Sequence, residues 1–501
     1  MAQERQHIYI GAPGFNGLNT QDSPVNQDPS FAAIAENAII DKFGRIGARK
    51  GINKITTSTT PLGASIGIES VFELIKADGN SVVFSTGNNK IFTGTTTLTD
   101  ATNSMTISAN NWKIVSFNGD AYFFQRSHNA LEYTTSAGTI GVVHTDAPDA
   151  NEVCAAFGRL WAGDVAGNKY TLYFSDSLDG DDWTGGSSGS LDLTTVWPTG
   201  YDEIVAISEF NNRLVIFGKQ SILFYTGAAS PSSMTLEDTI TGVGCVARDS
   251  VQAIGTDLLF LSDSGVRTLG RTIQEKSSPI GNVSKNVKDD LLSDLATETG
   301  NIKSVYSPEN SFYLLFFPSN SIVYCFDTRV FLEDGSFRVT TWPTTRILSG
   351  FNSTSGTLYL GTLKGINQYS GQLDDATPYV MKYYTNPLSF GDASTIKMLK
   401  ELSFRVIGGQ GLTTVLNWGY DYTEAYTKQA STISNASIAE YGIAEYNTST
   451  AEYSASIVVD DAKSKATGSG TVITVGLDTT IDGRQLSIQE IKVEALVGRK
   501  I

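Results

Sequence analysis

Apolar residues fall along this chain in short runs divided by turns rich in Asn, Gly and Asp, and one two-run unit recurs seven times. The copies span 78–94, 118–133, 157–175, 210–227, 254–270, 309–327 and 354–371. In each, a polar turn leads into an apolar strand, a second polar turn and a second strand, which is the signature of a β-hairpin. Anchors at Gly79, Gly119, Arg159, Arg213, Asp257, Phe312 and Leu358 lie 40, 40, 54, 44, 55 and 46 residues apart. A four-stranded propeller blade uses roughly 40–50 residues, so the spacing predicts an all-β chain built on a β-propeller. Six or seven blades fit, with seven favoured. A pair of β-sandwiches with ordinary hairpins is the plainer alternative. The shared turn type, strand order and aromatic residues within the repeated strands favour the propeller.

Two regions lie outside the repeat. Residues 1–65 carry Pro13, Pro24 and Pro29, then Phe31 to Ile40, a stretch whose pattern suits either a short helix or a strand. They are expected to form an extended arm, followed by the propeller over 66–375. From 376 to 501 the pattern changes. Lys400 to Ile407, Leu412 to Trp418 and Ser487 to Val497 alternate as half-buried strands do, predicting a β-sandwich-like C-terminal domain. Within it Tyr441, Tyr446 and Tyr453 each end an Ala-Glu-Tyr unit. They suit either a loop whose rings stack on a neighbouring surface or a plain surface loop.

Composition sharpens this picture. Only 18% of the 501 residues are charged, against about 25% in ordinary soluble domains. The 48 glycines and 10% aromatic content lean toward strands and turns. A net charge of −16 disfavours tight sequence-specific DNA binding, which needs clustered Lys and Arg. The three cysteines, Cys154, Cys245 and Cys325, stand apart in apolar surroundings and read as buried free thiols. The polar N-terminus lacks an apolar signal core, and no apolar run approaches a membrane span, so synthesis in a cytoplasm is expected.

Candidate chemistry is sparse. His7, His128 and His144 lie in no zinc-ligand spacing, there is no nucleophile elbow, and Asp263-Ser264-Gly265 reads as a hairpin turn. Gly242-Val243-Gly244 lacks the following helix of a phosphate cradle. The acidic stretch Ser175 to Trp183 suits a structural turn; a cation-binding turn is the alternative, and it also nears the Ser-x-Asp-x-Gly-x-x-Trp box of sialidase-like propellers, one residue short. The Asp pairs at 289–290, 374–375 and 460–461 read as solvated loop charges, and Arg45, Arg49 and Lys50 as one side of a charge-complementary contact. No catalytic, cofactor-binding or metal-ligating set is expected, and the chain is read as a non-enzyme.

One resemblance adds to this. Gly17-Leu18-Asn19-Thr20-Gln21-Asp22-Ser23-Pro24, Phe31-Ala32, Glu36-Asn37-Ala38, Gly44-Arg45-Ile46 and Arg49-Lys50-Gly51 resemble the opening of short-tailed bacteriophage tail proteins, the nozzle or tail-hub group also called packaged-DNA stabilisation or tail tubular proteins. Tyr173-Phe174-Ser175-Asp176 with Asp182-Trp183 is similar to that family's "YFSD…W" signature, and the three tyrosines stand where relatives carry spaced Trp or Tyr. The likeness covers about residues 8–370. It implies a homohexameric ring in the virion tail below the portal and its adaptor, retaining the genome and conducting double-stranded DNA. It also implies contacts with tail needle or fibre and spike proteins, and no cofactor. On that reading Arg45, Arg49 and Lys50 anchor the arm to a neighbour. The alternative reading is a carbohydrate-binding or glycan-cleaving propeller.

Overall fold

The computed structural model describes residues 4–24, 27–57, 67–103, 105–275, 282–423, 425–433 and 459–500, so the tyrosine triplet lies outside the described residues. The chain divides into two compact units that cut across the expected boundaries. One gathers residues 54–323 and 344–368; the other gathers 1–53, 324–343 and 369–501. The arm and the C-terminal region therefore belong to one body.

The first unit is the propeller. Its first four blades are antiparallel four-stranded sheets in chain order, within 70–100, 113–144, 150–192 and 204–241. The fifth is the three-stranded sheet Gln252–Ile254, Asp257–Ser262 and Gly265–Thr268. Another is built on Ser349–Asn352, Leu358–Thr362 and Gly365–Tyr369. That makes six separate blades. Between the last two, Lys303–Ser307 pairs with Phe312–Phe317 and fills a seventh place in the ring, after which the chain leaves this unit and returns at residue 344. The count thus falls in the six-or-seven range that the spacing predicts.

Each recurring hairpin contributes to a middle position of its blade because its turn fixes the register. Asn88-Asn89, Asn118-Gly119 and Asn211-Asn212 have positive φ at both central residues. Such turns match the right-handed twist of the flanking strands, and Asn and Gly reach that conformation most easily. Strand faces then alternate into the gaps between blades. Phe84 meets Phe123 at 5.3 Å edge-on between the first and second blades, and Phe217 meets Phe260 at 5.1 Å between the fourth and fifth. All four rings are fully buried, and each contributes about 2–3 kcal/mol of apolar burial.

The ring closes by joining distant parts of the chain. Ile55 N–H donates to Ile366 O at 3.0 Å, and the buried Thr56 hydroxyl accepts from Ile366 N–H at 3.0 Å while donating to Thr95 O at 2.9 Å. One side chain thus links the first blade to the last.

The second unit holds two sheets. In one, Thr395–Gly408 lies between Val459–Lys465 and Leu486–Lys500, and Glu4–Gly11 pairs along Leu486–Lys500 over eight residues. In the other, Gly17–Leu18 and Phe31–Glu36 insert beside Phe337–Pro343 and Tyr379–Thr385, which continues to Ile473–Ile481 and Thr413–Tyr420. The sheets pack through Thr395–Gly408 and Ile473–Ile481, a sandwich-like arrangement. The ambiguous stretch Phe31 to Ile40 is two strands, Phe31–Glu36 and Ala38–Ile40, split where Asn37 takes φ 52°. Gly17, at φ +77°, packs so closely on Val339 that a Cβ would lie 2.6 Å from its carbonyl oxygen.

Thr56→Val keeps the shape and deletes the bridging hydroxyl. Urea unfolding is expected to show a loss of about 1–3 kcal/mol, the cost of leaving a buried amide and carbonyl unpaired; no change would mean that the ring does not depend on this closure.

Candidate functional site

A charged cluster joins the first strands of several blades of the propeller. Asp249, just before the fifth blade, is held by its chain neighbour Arg248 and by two lysines brought from elsewhere in the ring. Arg248 Nη2 lies 2.7 Å from its Oδ2, Lys113 Nζ 3.2 Å from Oδ1 and Lys303 Nζ 3.7 Å from Oδ2. Lys113 begins the inner strand of the second blade, and Lys303 begins the strand in the seventh place. Arg248 also donates to Asn151 O and Oδ1 at 2.6 and 3.0 Å, on the third blade, and to Asn111 Oδ1 at 3.1 Å. Lys303 reaches Ser70 Oγ of the first blade at 3.1 Å. The Asp249 carbonyl accepts from Ser304 N–H and Oγ at 3.0 and 2.8 Å. One residue gathers four positions of the ring.

Two cavities flank this knot, of about 350 and 290 Å³, and Asp249 lines both. Burial alone would raise the Asp249 carboxyl, but the three cations outweigh it and hold the group far below the usual carboxylate range. Burial pushes the neighbouring Glu152 up to about 7 against the pull of Lys113, which lies 3.5 Å away. Burial likewise lowers Lys303 to about 8, despite Asp249. These are mutually neutralised charges inside a folded ring. They form a structural lock.

Residues singled out in the sequence are distributed elsewhere. Arg49, read there as a surface anchor, is 1% exposed. Its Nη1 and Nη2 grip Asp374 Oδ1 and Oδ2 at 2.8 and 2.6 Å, its Nε donates to Asn37 Oδ1 at 3.0 Å, and its guanidinium lies 4.2 Å from the Tyr379 ring centroid. Such a fork tied at both ends is an internal strut, so Arg49 is corrected from contact residue to core residue. Arg45 and Lys50 are half-buried, and Arg45 lies over the exposed Phe43 ring at 4.6 Å.

Two of the Asp pairs are tied into ion pairs and the third opens a helix. Asp374 holds Arg49, Asp461 pairs with Arg405 at 2.9 Å and Lys463 at 3.1 Å, and Asp289 and Asp290 sit in the first turn of the helix Lys288–Thr297. There they face the positive end of its dipole. Asp263-Ser264-Gly265 is the expected hairpin turn. Cys245 and Cys325 are buried, Cys154 is half-buried, and all three are free; burial pushes the Cys154 thiol up to about 12 and Cys245 to about 11.

The stretch Ser175 to Trp183 is a tightly built turn. Asp176 N–H donates to Asp182 O at 2.8 Å, Asp176 Oδ1 accepts from Ser187 N–H and Oγ, and Trp183 Nε1 donates to Gly180 O at 2.9 Å. The Ser187 bonds lower the Asp176 carboxyl to about 2. The turn also carries Asp181 to His144 and Glu132 of the second blade, a convergence that spacing along the chain does not reveal.

No protein-family model matches this chain, and no curated protein matches it. Among solved structures it is similar to the WD40 β-propeller domain of Doa1, at 12% identity over 64% of this chain and 96% of that one, with a TM-score of 0.38. BamB from Moraxella catarrhalis is similar at 10% identity over 60% of this chain and 84% of that one, TM-score 0.36. The computationally designed Ika8 protein shares 9% identity over 64% of this chain and 99% of that one, TM-score 0.36. Likenesses this remote bear on fold alone, and the propeller rests on the strand order described above.

The low Lys303 value has a measurable consequence. The unfolded chain keeps this proton up to its ordinary 10.5, whereas the folded chain releases it near 8. Stability from this group is therefore present above 10.5 and lost as pH falls through 8. Denaturant unfolding of the unaltered protein should gain up to roughly 1.4 kcal/mol per pH unit from it across that window. Lys303→Met is expected to lose that increment; identical slopes would show that Lys303 titrates normally.

Proposed function

We propose that this chain is a structural component of a short-tailed phage tail. Its copies form a ring-shaped nozzle or hub below the portal and adaptor, which retains the packaged genome and conducts double-stranded DNA during ejection. The observation that carries this reading is where the resembling residues lie. Gly17 packs on Val339, and Asn19 Oδ1 accepts from Gln21 and Asp22 N–H at 3.1 Å each. Asn37 Nδ2 donates to Val380 O at 2.8 Å, while its Oδ1 accepts from Arg49, which grips Asp374. The motif thus coincides with the residues that fold the arm into its own unit. It is a fold-specifying motif, and a shared motif of that kind supports a shared module.

Two physical arguments agree with it. A conduit for a polyanion must avoid gripping it, and a net charge of −16 supplies repulsion in place of the basic groove that retains nucleic acid. A closed propeller also has few open strand edges, which suits a wall under load. With Arg49 internal, the surface nearest the motif that remains for a neighbour or the adaptor is the turn at Lys42, Phe43 and Arg45, where Phe43 is 42% exposed beneath both cations.

Peptide mass spectrometry of purified virions from the source, quantifying this chain against the portal protein, tests the reading. A ratio of about one to two is expected for a six-fold ring under a twelve-fold portal. Absence from the virion would overturn the proposal and turn attention to glycan binding.

A further inference from the structure

Three potential metal ligands meet at the edge between the second and third blades. Glu132 lies in the strand His128–Thr134, His144 ends the strand Thr139–His144, and Asp181 comes from the 175–183 turn of the third blade. His144 Nε2 is 3.3 Å from Glu132 Oε2 and 3.5 Å from Asp181 Oδ1, and all three ligand atoms lie within 4.8 Å of one another. The first two distances are long for N–H···O hydrogen bonds, which centre near 2.9–3.0 Å. They match the edge of a tetrahedron whose centre lies about 2.0–2.1 Å from each ligand, an edge of roughly 3.3–3.4 Å.

Charge and burial point the same way. Glu132 and His144 are 3% and 5% exposed. Among the described residues, the Glu132 carboxylate has His144 as its one hydrogen-bonding partner, and no Lys or Arg forms an ion pair with Glu132 or Asp181. The Asp181 carboxylate approaches the same His144 nitrogen, so two carboxylates converge on one imidazole. A buried carboxylate among other carboxylates lacks a cation.

The surroundings already fix the third ligand. Tyr122 O–H donates to Asp181 Oδ1 at 2.8 Å, as an outer-shell partner orients a metal-bound carboxylate. Gly180 packs on the Tyr122 ring, where a Cβ would lie 2.7 Å from Cζ, so the turn reaches this depth only with glycine. Leu178 N–H donates to Gly158 O at 2.8 Å, and Asn118 Nδ2 from the second blade donates to Leu178 O at 2.5 Å. Trp183 packs on Phe124 of the second blade at 5.9 Å. Asp181 is therefore carried on a turn that both blades hold in place.

We propose that Glu132, His144 and Asp181 form a binding site for one divalent transition-metal ion, zinc being the best fit, that cross-links the second and third blades. An imidazole nitrogen with two carboxylate oxygens suits zinc better than calcium or magnesium, which prefer all-oxygen shells. The two carboxylates and a neutral imidazole balance the ion's charge, and a water fills the fourth position.

The full-length protein, stripped with EDTA and dialysed, is titrated with Zn²⁺ at neutral pH by calorimetry, and with Co²⁺ by visible absorption. One ion per chain is expected, with the intense d–d bands of a tetrahedral Co²⁺ site and a raised Tm on loading. Glu132→Gln, His144→Ala and Asp181→Asn should each weaken binding by more than the roughly 10–100-fold that loss of an outer-shell partner costs. His128→Ala, whose ring lies against Trp112, should bind as the unaltered protein does. Asp181→Asn alters a half-exposed side chain on a surface turn, so it guards against misreading a folding defect as lost ligation. No saturable binding, or unweakened binding in any of the three variants, would overturn the assignment.

Discussion

Asp249 is the point on which the propeller depends. Its carboxylate is a shared counter-ion for Arg248, Lys113 and Lys303, of which Lys303 reaches on to Ser70 and Arg248 to Asn111 and Asn151. A ring of blades has no central hydrophobic core of its own, because the inner strands splay around an axis. Here paired charges tie the inner strands to one another. Buried ion pairs add little net stability, since desolvation offsets their attraction, but removing one partner strands the others at a cost of about 3–5 kcal/mol. The arrangement therefore specifies which blades sit together more than it deepens the free-energy minimum. Apolar packing between blades, as at Phe84–Phe123 and Phe217–Phe260, supplies the depth.

The middle strands of the blades were legible in the sequence, because two-residue turns such as Asn118-Gly119 carry both the chain reversal and its handedness in adjacent letters. The division into units was not. The strands that complete the second body come from 1–53, 324–343 and 369–501, and their pairing is decided by register across hundreds of residues. Arg49 was misread for a related reason. Beside Lys50 it looks like a surface patch, yet its partner Asp374 is 325 residues away. Asp249 gave no local signal either, as Lys113 lies 136 residues before it.

The same logic runs through the site between the second and third blades. Histidine spacing excludes the familiar zinc motifs, and Ser175 to Trp183 reads as a turn, which it is. Its further role follows only when Gly180 lets the turn sink against Tyr122 and brings Asp181 to His144. Across the molecule, charged residues act as internal fasteners between elements remote in sequence. Such fasteners hold shape, and they are drawn from the minority of charged side chains that are buried, Arg49, Arg248 and Lys303 among them.

The central claim is that one carboxylate ties the inner strands of the propeller to one another. Amide hydrogen exchange of Asp249→Asn against the unaltered protein tests it most directly. Loss of protection should appear together in Lys113–Phe117, Ala150–Ala156 and Lys303–Ser307, three inner strands far apart in sequence. Loss confined to the peptide around residue 249 would contradict the account.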